Sequence, residues 1–84
     1  MLRPDVGERF ALLRWRGNEV AASYDLETKR SPRTGWRTIV QSSVSTSYRV
    51  RGTPRSSLQA RVRARDTNGD LGAWSPPETI RFKH

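Results

Sequence analysis

Residues 57–77, SLQARVRARDTNGDLGAWSPP, decide the fold. Side chains of an extended chain alternate with a period of two. Leu58, Ala60, Val62 and Ala64 therefore share one face, and Gln59, Arg61, Arg63 and Arg65 the other. Such a stretch is a strand, dry on one side and basic on the other. Asn68-Gly69 follows, the dipeptide that best tolerates the positive φ angles of a two-residue hairpin, so the chain is expected to fold back there. Trp74 arrives on the return limb, and Pro76-Pro77 interrupts regular pairing just after it.

The same alternation recurs on either side of this hairpin. Residues 10–16 (FALLRWR) place Ala11, Leu13 and Trp15 on one face, with Arg14 and Arg16 opposite, beside Phe10 and Leu12. Gly17-Asn18 makes a turn. Residues 22–29 (ASYDLETK) turn Tyr24, Leu26 and Thr28 inward and Asp25, Glu27 and Lys29 outward. The loop RSPRTG (30–35) leads to the β-prone WRTIVQ (36–41), where Ile39 and Val40 compete for the inward face. After a polar connection (42–46), residues 47–51 (SYRVR) put Tyr48 and Val50 in and Arg49 and Arg51 out. Gly52-Thr53-Pro54 turns the chain toward the opening stretch, and residues 78–83 (ETIRFK) close the set with Ile80 and Phe82 inward.

No segment carries the i, i+3, i+4 spacing of a long helix. Six or seven short strands separated by turn signals mean an all-β antiparallel sandwich of the immunoglobulin-like kind. Residues 1–9 (MLRPDVGER) are polar and hold a proline and a glycine; they read as an N-terminal arm or a partial edge strand around Val6, with 10–84 as the domain proper. The predicted core is Trp15, Tyr24, Leu26, Tyr48, Val50, Leu58, Val62 and Ile80.

Composition narrows the chemistry. The chain has 84 residues and no cysteine, so neither a disulfide nor a thiolate metal site holds it together. Residues 10–13 form its longest apolar run, far short of the roughly 20 residues of a membrane span, and the start lacks the apolar core of a secretion signal. The formal charge is +8, and Lys29 and Lys83 are the only basic residues that are not arginine. Such a field has two readings: attraction to nucleic acid, acidic polysaccharide or an anionic membrane surface, or ordinary solvated faces encoded by a high-GC genome. His84 is the only histidine and stands at the last position, so no histidine-based triad, zinc cluster or proton relay can be assembled. Asp66-x-Asn68-x-Asp70 copies the first ligands of a calcium loop, but Leu71 and Pro77 stand where the motif wants glycine and glutamate, so a carboxylate-rich turn is the better reading. No enzyme activity, cofactor or metal is expected.

Taken in series, Trp15, Tyr24, WRTIV, TSYRVRG-x-P, the Leu-x-Ala-x-Val-x-Ala strand, Asn-Gly and GAWSPP resemble a fibronectin type III domain over residues 10–82. The likeness is particularly to the arginine-rich modules of secreted or surface proteins of high-GC bacteria and some of their phages. It implies that Trp15 lies between two sheets, with strands A, B and E in one and C, C′, F and G in the other. Two departures stand out. Thr53 and Leu58 occupy the positions of the leucine and tyrosine that usually build the corner before strand F, and strand A is weak or missing, which would leave the edge of strand B open to another copy.

The implied topology sorts the charges. Strands C and F are neighbours, so Asp25 and Glu27 should face Arg61, Arg63 and Arg65, and Trp74 should slot between their guanidinium planes. The run Ala73-Trp74-Ser75 resembles half of the tryptophan-serine box of cytokine receptors, where such a ladder is structural. Strands B and E instead gather Arg14, Arg16, Arg49 and Arg51, with only Asp5 and Glu8 near enough to offset them. They form the candidate polyanion patch. Three functions are carried forward. One is a spacer, adhesion or protein-interaction module excised from a larger extracellular or cell-surface protein, partnered by another protein or by neighbouring domains. The others are a binder of acidic glycan or nucleic acid through the arginine patch, and a carbohydrate-binding module built on Trp36 or Trp74.

Overall fold

The alternating stretch is the longest strand of a two-sheet sandwich. A computed structural model describes residues 2–17, 21–31 and 33–83, and Asn18 of the expected turn, together with His84, lies outside the described residues. The strands are β1 (Leu2–Val6), β2 (Phe10–Trp15), β3 (Ala21–Lys29), β4 (Arg37–Ser43), β5 (Ser47–Arg51), β6 (Ser57–Asp66) and β7 (Glu78–Arg81). They form one sheet in the order β1-β2-β5 and another in the order β4-β3-β6-β7, all pairings antiparallel. This is the expected immunoglobulin-like sandwich with fibronectin type III topology.

The strand expected to be weak or missing is present. β1 pairs with β2 over its whole length, from Leu2 opposite Trp15 to Val6 opposite Ala11. Leu2 is 1% exposed, and its burial holds the segment down. Proline lacks a ladder donor and is tolerated only at edges, which is where Pro4 sits. Strand β2 is consequently central, flanked by β1 and β5, and the open edge expected there does not exist.

Between the sheets lie Leu13, Leu26 and Ile80, all fully buried, with Trp15 and Tyr24 meeting edge to face at 6.1 Å between ring centroids. Each such aliphatic side chain contributes about 1.5–3 kcal/mol by leaving water. Trp15, Tyr24, Leu26, Val50, Leu58, Val62 and Ile80 are buried, joined by Leu2, Ala11, Leu13, Ala60 and Phe82. Tyr48 is the exception at 38% exposed, because β5 is an edge strand and its inward side opens sideways to solvent.

Two corners differ from expectation. The hairpin after β6 has a three-residue loop, Thr67 to Gly69. Asp66 accepts from the backbone N–H groups of Asn68 and Asp70 at 2.9 Å each, Gly69 N–H donates to Asp66 O at 3.0 Å, and Gly69 alone takes the positive φ of 83°. A carboxylate at the first position stabilises this form over the two-residue one. At the other corner the missing tyrosine hydroxyl is replaced by that of Ser56, which donates to Thr53 O and accepts from Thr53 N–H. Gly52 belongs to the same corner, since a Cβ there would collide with the Phe82 ring.

Candidate functional site

The outer face of the four-stranded sheet is a charge and ring ladder. β3 and β6 pair with Asp25 opposite Arg63 and Glu27 opposite Arg61, so alternation sends all four side chains to the same side. Arg61 reaches Glu27 Oε1 through both Nε (3.1 Å) and Nη2 (2.7 Å), and Thr38 Oγ1 donates to Glu27 Oε2 at 3.0 Å. Arg63 Nε donates to Asp25 Oδ2 at 2.8 Å, and Arg65 Nε donates to both carboxylate oxygens.

Although it points outward, Asp25 is only 1% exposed, because the arginines lie over it. Its remaining donor comes from a backbone irregularity. On β4 two residues face the one position between Tyr24 and Leu26, Ser42 takes a positive φ of 55°, and its freed N–H donates to Asp25 Oδ1 at 2.9 Å. Burial pushes the Asp25 carboxyl up. The hydrogen bonds of Arg65, Ser42 N–H and Arg63, with the charge of Arg65, outweigh burial and hold it below the ordinary carboxylate range.

Tryptophans cap this layer. The Arg61 guanidinium lies 4.1 Å from the Trp36 ring centre and 4.5 Å from that of Trp74, and Arg63 lies 4.3 Å from Trp74. Lys29 adds a longer contact to Trp36 at 6.0 Å. Ser75 ties the return limb to β6, its N–H donating to Val62 O at 2.8 Å and its hydroxyl accepting from Val62 N–H at 3.0 Å. Sequence reasoning placed Trp74 beside the arginines but missed Trp36, whose only signal was its place just before an outward-facing strand. Arg65 binds Asp25, and among the described residues no ring contact is recorded for it.

The opposite face carries Arg14, Arg49 and Arg51 on β2 and β5, with Arg16 just beyond β2, and all four are exposed. Arg3 of β1 joins them as the register partner of Arg14. Asp5 is the acidic residue among them, 3.8 Å from Arg14, and both side chains are largely exposed, so the pair is worth well under about 1 kcal/mol. An aromatic ring does lie on this face: Phe10, 44% exposed, has Arg49 at 4.9 Å from its ring centre.

Among the described residues no group of three or more His, Cys, Asp or Glu side chains is gathered in the manner of a metal site. The Asp66 carboxylate of the calcium-like sequence accepts backbone N–H bonds instead. One further feature was not legible in the sequence. A hollow of about 330 Å³ lies between the edges of β4 and β5, lined by Arg30, Arg37, Ile39, Tyr48 and Arg51 among others. Another, of about 480 Å³, is lined by Arg30, Arg51, Gly52, Thr53, Ser56 and Ser57.

These features define a class, the fibronectin type III-like sandwich. The structure is similar to that of an Fn3-like protein from Clostridium thermocellum, with a TM-score of 0.79, 20% identity, and coverage of 100% of this chain and 90% of that one. It is also similar to a structure described as a myokine, with a TM-score of 0.78, 14% identity, and coverage of 99% and 93%. At these identities the likeness shows the fold. No family model and no curated protein matches the sequence.

Proposed function

We propose that this chain is a non-catalytic module of a larger extracellular or cell-surface protein, acting as a spacer and as an adhesion or protein-interaction surface. The observation that supports this best is the path of the backbone. Leu2 pairs with Trp15 at one end of β1, while Lys83 N–H donates to Gly7 O just past the other end, so the chain enters at one pole and leaves at the opposite one. A body of 42 × 25 × 17 Å threaded this way fits between neighbours in a string of domains. Excising residues 2–83 from the parent protein is expected to leave turnover by any catalytic neighbour unchanged and to weaken the parent's attachment to its target surface. Unchanged attachment with lost turnover contradicts the reading.

A second reading, polyanion binding by Arg14, Arg16, Arg49 and Arg51, is favoured by one observation: four exposed guanidiniums share a face with a single loosely held carboxylate. Arg14→Glu combined with Arg49→Glu should lower affinity for heparin or DNA, with a steep salt dependence in the parent domain. The carbohydrate reading needs an open indole face. Arg61 lies over the rings of Trp36 and Trp74 and Arg63 over that of Trp74, so a sugar would have to stack on the faces the guanidiniums leave.

A further inference from the structure

The two sheets meet differently along their two sides. β1 packs against β7 on one side. On the other, the edges of β4 and β5 stand apart around the hollow of about 330 Å³, and the corner hollow of about 480 Å³ adjoins it at Arg30 and Arg51, which line both. Arg30 spans the gap, its Nη2 donating to Arg51 O at 3.1 Å.

The charge of this groove has one sign. The chain carries no Asp or Glu between Glu27 and Asp66, so neither hollow is lined by a carboxylate. Within that span Arg61, Arg63 and Arg65 are taken by Glu27 and Asp25. No ion pair is recorded for Arg30, Arg37 or Arg51 among the described residues.

The chemistry around these arginines selects an occupant. A peptide adding as a strand needs a run of open backbone groups on β5, but Ser47 N–H and C=O are held by Ser45 Oγ and Arg51 O by Arg30, which leaves Arg49 as the one edge residue with both groups open. A single-stranded nucleic acid needs ring faces on which bases stack, and the aromatic side chain lining the groove is Tyr48 alone. Hydroxyls are what the walls supply beside the guanidiniums, from Tyr48, Thr53 and Ser57. Guanidiniums interspersed with hydroxyls match a polymer of sulfates or carboxylates interspersed with sugar hydroxyls.

We propose that the groove between the β4 and β5 edges, running to the Gly52–Ser57 corner, binds an acidic polysaccharide whose sulfate or uronate groups are taken by Arg30, Arg37 and Arg51. This deepens the interaction-module reading and rests on it; the groove shares Arg49 and Arg51 with the rim of the outer face of β2 and β5, and Arg30 and Arg37 set it apart from that face.

The test is calorimetric titration of the folded domain with a heparin dodecasaccharide over a range of salt concentrations. An oligothymidine and an acidic peptide of matched charge serve as the other arms. Heparin should bind most tightly, with log K falling linearly against log salt. Arg30→Glu combined with Arg37→Glu should cost about tenfold or more in affinity and flatten the salt slope, whereas Arg14→Glu combined with Arg16→Glu should cost less than about threefold. Because Arg30 also ties β5 in place, Arg37→Glu alone, with an unchanged melting curve, should still show a severalfold loss. Equal losses from both pairs, a loss confined to the outer-face pair, or tighter binding of oligothymidine or peptide overturns the proposal. A natively folded domain that binds no heparin at low salt also overturns it, while leaving the spacer reading standing.

Discussion

Asp25 shows how a residue that reads as solvent-facing becomes structural. Three protein groups donate to it, and the arginines that do so also shield it from water. Its folded-state carboxyl titrates below its unfolded value, so the unfolded chain takes up the proton first. The ion cluster therefore contributes its full stability above the unfolded value of about 3.9 and loses it as the pH falls through the lower folded value. Asp25→Asn should remove that acid-limb dependence. At neutral pH it should cost about 3–5 kcal/mol, because Arg63 and Arg65 lose the charge they were arranged around. Urea unfolding of both proteins from pH 7 down to pH 2.5 checks this: the parent curve should fall below about pH 4, and the gap between the two curves should narrow steadily from there. Parallel curves would mean that other carboxylates govern acid unfolding.

The elements differ in how openly their sequences declare them. β6 was legible because Leu58, Ala60 and Val62 alternate without interruption against Gln59, Arg61 and Arg63, and its partner β3 because Tyr24, Leu26 and Thr28 alternate against Asp25, Glu27 and Lys29. β1 hid because Pro4 and the following Gly7 broke the pattern, and because what fixes it, Leu2 buried beside Trp15 on the neighbouring strand, is a tertiary contact that local propensity does not encode. β4 was ambiguous between Ile39 and Val40 for a physical reason: register shifts opposite Leu26 leave both half-buried. Deleting residues 1–6 should therefore remove a core side chain and bare the edge of β2 together. The expected outcome is a melting temperature lower by 10 °C or more, roughly the effect of a 2–4 kcal/mol loss, with dimers appearing in sedimentation. A truncated monomer with unchanged stability would show that β1 is dispensable. On the other sheet the ladder predicts that Trp74→Ala costs about 2–4 kcal/mol, and that the effect shrinks in an Arg61→Met, Arg63→Met background. Additive losses in that cycle would mean that the ring is held by packing alone.

At the scale of the whole molecule the division of charge is the organising fact, and only half of it could be read from the sequence. Alternation and strand neighbourhood located the neutralised half, where Asp25 and Glu27 meet Arg61, Arg63 and Arg65. The other half depended on how the β4 and β5 edges stand apart, a distance between non-adjacent strands in different sheets that no local pattern carries. With Asp25 and Glu27 spent on the ladder, the rest of a +8 chain repels itself in the folded state more than in the expanded one. Added salt screens that exposed repulsion over about 10 Å at 0.1 M but reaches the covered Asp25 cluster much less. Stability should accordingly rise with sodium chloride between about 10 and 200 mM, by a few degrees in melting temperature for a fraction of a kcal/mol. The rise should be smaller in Arg30→Gln, Arg37→Gln, which thins the unpaired charge while leaving the ladder in place. A melting temperature that falls with salt would mean that exposed pairs such as Arg14 with Asp5, and not the like-charged groove and outer face, dominate the electrostatics of this domain.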